Sequence, residues 1–482
     1  MKFIGREKEL SCLLSLTDGS KNKTDHIAVI YGRRRIGKSE LIRQAFKNKF
    51  LLYFEGVENQ SKGRQIEHFL LQLQEQINEQ THTKTQNYNN NDSKTAKSWA
   101  KALLLLKPVV KGKKVVIVFD EFQWMANYRS ELVSELKMVW ELYLSKMAKS
   151  ITLILCGSIA SFMIKKVVNS SALYGRIDLE LPIKELAAIE ANQLLGNKGR
   201  SELFEAYMLL GGVPFYLNLI KDKSSIRIGI DDLCFRREGA LFNEYKKIFL
   251  GHFGKNPHYQ KILSTLIQRP YSLLRTDIID ALQVEAGGEI SKYLFDLESA
   301  GLIMGLTPVD KGENSKLTRY MIADPFISFH QSFIDPNKKK IELGIETVFK
   351  TITSGPKYYS FLGRMFELFC IKNAKKLSSI LGFSDVEFNY GPFYHHKKIQ
   401  IDLMYLRKDN VITMVEIKYC GYKQISLAVI KEVEKKVDYL RKIFPSKTIQ
   451  TILVVNSNDV LPKSILSNNI FYKVIHFDNF FI

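Results

Sequence analysis

The residues best suited to chemistry begin at Gly32. The octet Gly32-Arg33-Arg34-Arg35-Ile36-Gly37-Lys38-Ser39 sets two glycines around a basic stretch and ends on a lysine and a hydroxyl. Glycines so spaced let the backbone curl until its N–H groups point inward at phosphate oxygens. Lys38 would reach the β- and γ-phosphates and Ser39 would offer its hydroxyl to Mg²⁺. A helix opening at Glu40 would add the positive end of its dipole. Asp120 and Glu121 end the apolar run that starts at Lys114. There Asp120 suits Mg²⁺ held through water, and Glu121 suits polarising an attacking water for in-line phosphoryl transfer. Ser158 follows a third apolar run and could touch the γ-phosphate or that water. Arg176, in Leu173-Tyr174-Gly175-Arg176, reads either as an arginine finger, for its own or a neighbouring subunit's nucleotide, or as a loop arginine.

A second set lies in the last third of the chain. Glu367 sits in Phe366-Glu367-Leu368-Phe369, Asp402 in Gln400-Ile401-Asp402-Leu403-Met404, and Glu416-Ile417-Lys418 alternates so that Glu416 and Lys418 share a face. Carboxylates and a lysine converging in apolar surroundings are costly unless they bind a cation or each other.

These residues need scaffolds. For the first set, apolar runs at 26–31, 50–55, 114–119, 151–156 and 177–181 read as strands alternating with helices, which predicts a parallel sheet covered on both faces. The polar stretch 80–94 reads as a mobile surface loop. His26 and His82 have no partners at ligand spacing and are expected to be structural or exposed. Residues 185–250 are helical in pattern. Residues 258–323 predict three helices and a hairpin, the outline of a winged helix. Its third helix carries Glu289, Asp296 and Glu298 against Lys292, which favours a spacer over a DNA reader. A linker is expected near 335–340. For the second set the predicted order is helix 363–381, strands 386–390, 399–406 and 411–418, helix 425–444 and strand 449–455.

The formal charge of the 482 residues is +20, which suits a polyanionic partner, or else reflects a Lys-rich soluble surface. Residues 341–482 hold 20 Lys and Arg against 13 Asp and Glu, a surplus of +7, so +13 remains for the first 340 and no single basic tail accounts for the excess. Five scattered cysteines without CxxC spacing argue against a zinc site or a disulfide frame. The N-terminus lacks a signal-peptide core, and no apolar run approaches the ~20 residues that span a bilayer. A soluble, cytoplasmic protein without membrane contact is expected.

Phe3-Ile4-Gly5-Arg6-Glu7-Lys8-Glu9-Leu10, the arginine-rich loop, Phe119-Asp120-Glu121-Phe122-Gln123-Trp124, Cys156-Gly157-Ser158 and Leu173-Tyr174-Gly175-Arg176 together resemble the archaeal-type ATPase family, near the STAND/AAA+ branch of P-loop NTPases. The resemblance implies that Gly5 and Arg6 strap the adenine of ATP. It also implies that Gly211-Gly212-Val213-Pro214 opens a helical lid that senses nucleotide. From residues alone that tetrapeptide is a helix stop and restart. The C-terminal pattern resembles the PD-(D/E)xK nuclease family. That likeness implies Mg²⁺ on Asp402 and Glu416, Lys418 orienting water or steadying charge, and Glu367 completing the site. Gln400 stands where related chains often have Glu, which removes one acidic neighbour. The alternative is a structural ion pair.

The expected architecture is α/β: a P-loop NTPase parallel sheet (1–184), a helical lid (185–254), a winged helix (255–333), a linker (334–355) and an αβββαβ restriction-endonuclease-like domain (356–482). The expected function is ATP binding and hydrolysis controlling a metal-dependent nuclease-like domain, with ATP and Mg²⁺ as cofactors. The alternatives are a STAND-type signalling or scaffold ATPase with a silent nuclease fold, and a DNA-binding ATPase that does not cleave. Nucleic acid and self-association are open as partners.

Overall fold

The computed structural model describes residues 3–17, 25–81, 97–127, 130–196, 198–269, 272–285, 287–312, 315–395, 399–421, 424–457, 461–462 and 469–481. The chain divides into two units, Met1–Glu185 and Leu186–Ile482. Among the described residues no helix is long and apolar enough to cross a membrane.

In the first unit β1 (Asp25–Tyr31), β2 (Phe50–Glu55), β3 (Lys114–Asp120), β4 (Ser150–Gly157) and β5 (Ile177–Pro182) form one sheet in the order β2-β3-β4-β1-β5. Every pairing is parallel. Successive side chains point to opposite faces, and each face is buried. Val29, Ile117, Phe119 and Leu155 meet Phe69 and Trp99 on one side. Ala28, Ile30, Val116, Val118 and Ile154 meet Leu41, Ile42 and Phe46 on the other. This two-sided burial is why the strands read as unbroken apolar runs. Because β4 lies between β1 and β3, the C-terminal ends of all three come side by side, where ligands bind in open parallel sheets.

The edge strand β2 is covered by the helix Lys62–Thr81, whose glutamines pair with every second residue. Tyr53 N donates to Gln76 Oε1 (2.7 Å) and Gln76 Nε2 donates back to the Tyr53 carbonyl (2.8 Å). Gln72 repeats this at Glu55 (2.8 and 3.1 Å). Gln65 does so just beyond the strand at Val57 (3.1 and 2.5 Å). Three side-chain amides thereby satisfy an edge that would otherwise expose unpaired backbone groups. The expected loop at 80–94 falls, from residue 82 on, outside the described residues, as does His82. His26 is buried, with Nδ1 3.6 Å from Asp178.

In the second unit the helix Arg200–Leu210 stops at Gly211 and a new helix, Pro214–Ile220, starts on Pro214, whose missing N–H costs nothing in a first turn. Three helices, Pro257–Gln268, Arg275–Leu282 and Gly288–Ser299, accompany β6 (Leu273–Leu274), β7 (Ile303–Leu306) and β8 (Arg319–Ile322). These strands form a small antiparallel sheet in the order β6-β8-β7. Asp296, counted in the sequence among the charges of the third helix, is buried and accepts the Tyr259 hydroxyl at 2.7 Å.

The last sheet runs β13 (Lys473–His476), β12 (Thr448–Val455), β11 (Val411–Lys418), β10 (Ile399–Arg407), β9 (Phe388–His395). It is antiparallel across β9, β10 and β11 and parallel from β11 to β13. β13 was not foreseen. The single helix expected at 363–381 is two, Pro356–Lys372 and Ala374–Leu381, broken at Asn373, whose amide donates to the Phe369 carbonyl at 2.8 Å. The segment expected as a linker is instead helical at Lys338–Glu342 and Val348–Thr353. Its Ile341, Val348 and Phe349 are buried in the unit's core, a pattern that the Lys338-Lys339-Lys340 run obscured in the sequence. The stretch after β7 packs on β9: Val309 N donates to the Pro392 carbonyl at 2.8 Å, and Arg319 lies over the Tyr394 ring.

Candidate functional site

The loop between β1 and the helix Lys38–Phe46 is held open by its glycines. Gly37 has φ 89° and Arg35 φ 68°, both left-handed. At Gly32 a Cβ would come 2.3 Å from the Ile183 carbonyl oxygen, so no other residue fits. Lys38 is buried, and its Nζ donates to the carbonyls of Gly32 and Arg33, each at 2.9 Å. The ammonium is therefore held against the loop where phosphate oxygens would lie. Ile36 is buried, Glu40 falls in the helix's first turn, Arg33 lies 3.9 Å from Glu185, and Arg34 pairs with Glu58 at 2.9 Å.

The acids of β3 meet this loop. Ser39 Oγ donates to Asp120 Oδ2 at 2.6 Å, and the same oxygen accepts the Tyr53 hydroxyl. Asp120 Oδ1 accepts Glu121 N at 2.8 Å. Glu121 has a left-handed backbone (φ 48°), and its Oε2 accepts the Ser158 hydroxyl at 2.6 Å and the Gln123 amide. Burial, reinforced by the Asp120 charge, pushes the Tyr53 phenol well up. Burial also raises the Glu55 carboxyl, with help from Asp120 and Glu121. The oxygens of Ser39 and Asp120 are hard donors of the kind Mg²⁺ takes.

Two further expected residues have partners of their own. Arg6, implied as an adenine strap with Gly5, is buried, and its guanidinium donates to the carbonyls of Lys184 (2.5 Å) and Ile36 (3.3 Å) and to Glu9. It pins the loop to the chain after β5, and Gly5 and Arg6 both have positive φ at the entry of the Glu7–Leu14 helix. Arg176 pairs with Glu141 and with the Tyr174 carbonyl (3.0 Å). Pro214 belongs to the second unit, at the head of its helix.

In the C-terminal sheet Glu416 is buried between two lysines, Lys418 at 2.7 Å and Lys436 at 2.9 Å. Glu432 joins them, 3.0 Å from Lys436 and 3.7 Å from Lys418. Burial alone would lower both ammonium groups, but Glu416 and Glu432 together more than offset it and the net shift is upward. Asp402 lies where the β9–β10 register is interrupted between Ile401 and Met404, and it accepts the Gln400 amide at 3.0 Å. The register of β10 with β11 ends at Leu403 opposite Val415, so one step further sets Asp402 beside Glu416. Burial, then the Asp402 charge, pushes the Glu367 carboxyl up to about 7, with Lys418 opposing. The four expected residues are therefore brought into one electrostatic neighbourhood. Among the described residues no group of three or more His, Cys, Asp or Glu is arranged to hold a metal ion, and Glu416, expected as a ligand, is paired with Lys418 and Lys436.

Tyr53, Gln123, Glu432 and Lys436 were not assigned from the sequence. Glu432 and Lys436 carry an i,i+4 ion-pair signal on their helix. Tyr53 has no comparable local signal, since its partner Asp120 comes from another strand, and Gln123 joins its neighbour Glu121 to Ser158, 35 residues further on.

A parallel sheet that delivers a glycine-cradled lysine, a hydroxyl and two acids to one edge gives the Met1–Glu185 unit the arrangement of a P-loop nucleotide-binding domain. Residues 3–220 match a family model described as an ATPase domain predominantly from Archaea. Residues 330–459 match one described as "Archaea bacterial proteins of unknown function". The chain is 29% identical over 434 residues to an uncharacterised protein of Methanocaldococcus jannaschii, covering 87% of this chain and 88% of that one. It is 22% identical over 339 residues to an uncharacterised ATP-binding protein of the same organism, covering 62% and 82% respectively. Among solved structures, a Walker-type ATPase of Pyrococcus abyssi is similar with a TM-score of 0.51 at 18% identity, over 68% of this chain and 96% of that one.

Proposed function

We propose that this chain binds ATP with Mg²⁺ and hydrolyses it, and that its nucleotide state controls the C-terminal nuclease-like domain. The observation that carries the first half is the meeting of Ser39 with Asp120 at 2.6 Å beside Glu121 and Ser158. Ser39 and Asp120 would hold Mg²⁺, which when bound neutralises charge on the phosphate oxygens. Lys38 and the loop N–H groups bind the phosphates, Glu121 polarises water, and Ser158 orients Glu121 and the γ-phosphate region.

For the C-terminal domain, the sheet order and the clustering of Glu367, Asp402, Glu416 and Lys418 support a nuclease-like reading. The pairing of Glu416 with Lys436 favours a second reading, in which this fold is catalytically silent and serves signalling or scaffolding. The packing of the stretch after β7 on β9 supports a spacer role for the middle domain rather than a DNA-reading one.

The test is ATP hydrolysis together with cleavage of single- and double-stranded DNA and RNA, in Mg²⁺ or Mn²⁺, beside Lys38→Ala, Glu121→Gln and Glu416→Ala. Cleavage lost in Glu416→Ala and altered in Lys38→Ala supports ATP-controlled cutting. Hydrolysis without any cleavage selects the silent domain. Unchanged nucleotide binding in Lys38→Ala removes the proposal altogether.

A further inference from the structure

We propose that Gln123 is a positioning residue that aims the Glu121 carboxylate. The inference rests on the reading of Glu121 as the group that polarises water. Gln123 is buried just behind the acids of β3, on the short helix Phe122–Met125. Its Nε2 donates to Glu121 Oε2 and to Ser158 Oγ (3.1 Å), and its Oε1 accepts Ser158 N at 3.2 Å. The Ser158 hydroxyl completes the ring by donating to the same Glu121 oxygen. Both donors converge on Oε2, so the carboxylate is fixed in rotation and Oε1 is the oxygen it presents.

Two further features are arranged around this ring. A Cβ at position 157 would lie 2.7 Å from Gln123 Oε1 and 2.5 Å from Met163 Sδ, so the glycine leaves the amide its place. Glu121 itself has a left-handed backbone, a conformation that a non-glycine residue keeps only when its surroundings hold it there. A buried amide that satisfies both Glu121 and Ser158 is such a hold.

Gln123→Met keeps the volume and removes the amide; Gln123→Ala removes both. The measurements are single-turnover ATP hydrolysis and fluorescent-ATP affinity on the full chain, alone and in a Glu121→Gln background. Hydrolysis by Gln123→Met should fall on the order of tenfold to a hundredfold, because small misplacements of a reacting group cost that much. ATP affinity should stay within roughly twofold. In the Glu121→Gln background Gln123→Met should slow the reaction no further, since the two residues act as one. An additive loss there, an equal loss of ATP affinity, or an unchanged rate in Gln123→Met would overturn the assignment. Full activity in Glu121→Gln alone would instead remove the reading beneath it, and the inference with it.

Discussion

Replacing Glu367 with glutamine should stabilise the second unit at alkaline pH and leave it unchanged at acid pH. Burial beside Asp402 and Glu416 pushes this carboxyl from an ordinary 4.5 up to about 7. A carboxyl whose folded value is raised holds more protons in the native state, so its contribution to stability falls as pH rises from 4.5 through 7. Once both states are ionised the cost to the fold is about 3 kcal/mol, an upper figure for a group that is partly exposed. Glutamine keeps the shape without the charge. In calorimetry of the full chain, the transition of the second unit should coincide in the two proteins at pH 4. By pH 8.5 it should stand up to about 6 °C higher in Glu367→Gln, taking roughly 2 °C per kcal/mol for a unit of this size. Added Mg²⁺ or Mn²⁺ should raise the wild-type transition more than the variant's if the cluster takes a cation. A variant equal to or less stable than wild type at pH 8.5 would show that Arg364 and Lys418 already compensate the charge, and the clustering argument would fail.

Arg6→Ala leaves the Ile36 and Lys184 carbonyls without their guanidinium, which should cost about 2 kcal/mol and weaken ATP and GTP binding alike. Selective loss of ATP in a nucleotide-affinity comparison would restore the adenine-strap role instead. Gly32→Ala places a methyl against the Ile183 carbonyl and should abolish ATP binding in equilibrium titrations, while Gly63→Ala, where nothing lies within 4 Å, should not. Burial holds the His330 imidazole below its ordinary 6.5, although the Phe242 carbonyl draws it up. The stability it contributes is present above about pH 6.5 and is lost as pH falls through the depressed folded value. Melting curves between pH 7.5 and 5 should therefore slope less in His330→Gln than in wild type, and equal slopes would contradict this.

The phosphate loop and the Asp120-Glu121 pair were legible because their chemistry is written in contiguous residues at fixed spacing. The contact of Ser158 with Glu121 was not, since it depends on β4 entering the sheet between β1 and β3. Arg176 shows the same limit: it lies in a turn, its partner Glu141 lies on a helix 35 residues earlier, and a tetrapeptide cannot declare which acid it will meet. At the C-terminal site the strand alternation of Glu416 and Lys418 held, giving their 2.7 Å pair. The bulge at Asp402 and the arrival of Lys436 beside Glu416 from the following helix are tertiary events that no local spacing announces. The helices Lys338–Glu342 and Val348–Thr353 were hidden for a related reason, because three exposed lysines outweighed the few apolar residues that fold the segment onto the core.

The glutamine amides that line β2 make the helix Lys62–Thr81 a substitute strand with only one usable side. A true strand added there would present fresh N–H and C=O groups to the next chain, and the sheet could grow. The helix spends its own backbone groups internally, so it offers no further row to copy. Growth of the sheet therefore ends at β2, one strand from the β3 that carries Asp120, and pairing of two copies through that edge is closed.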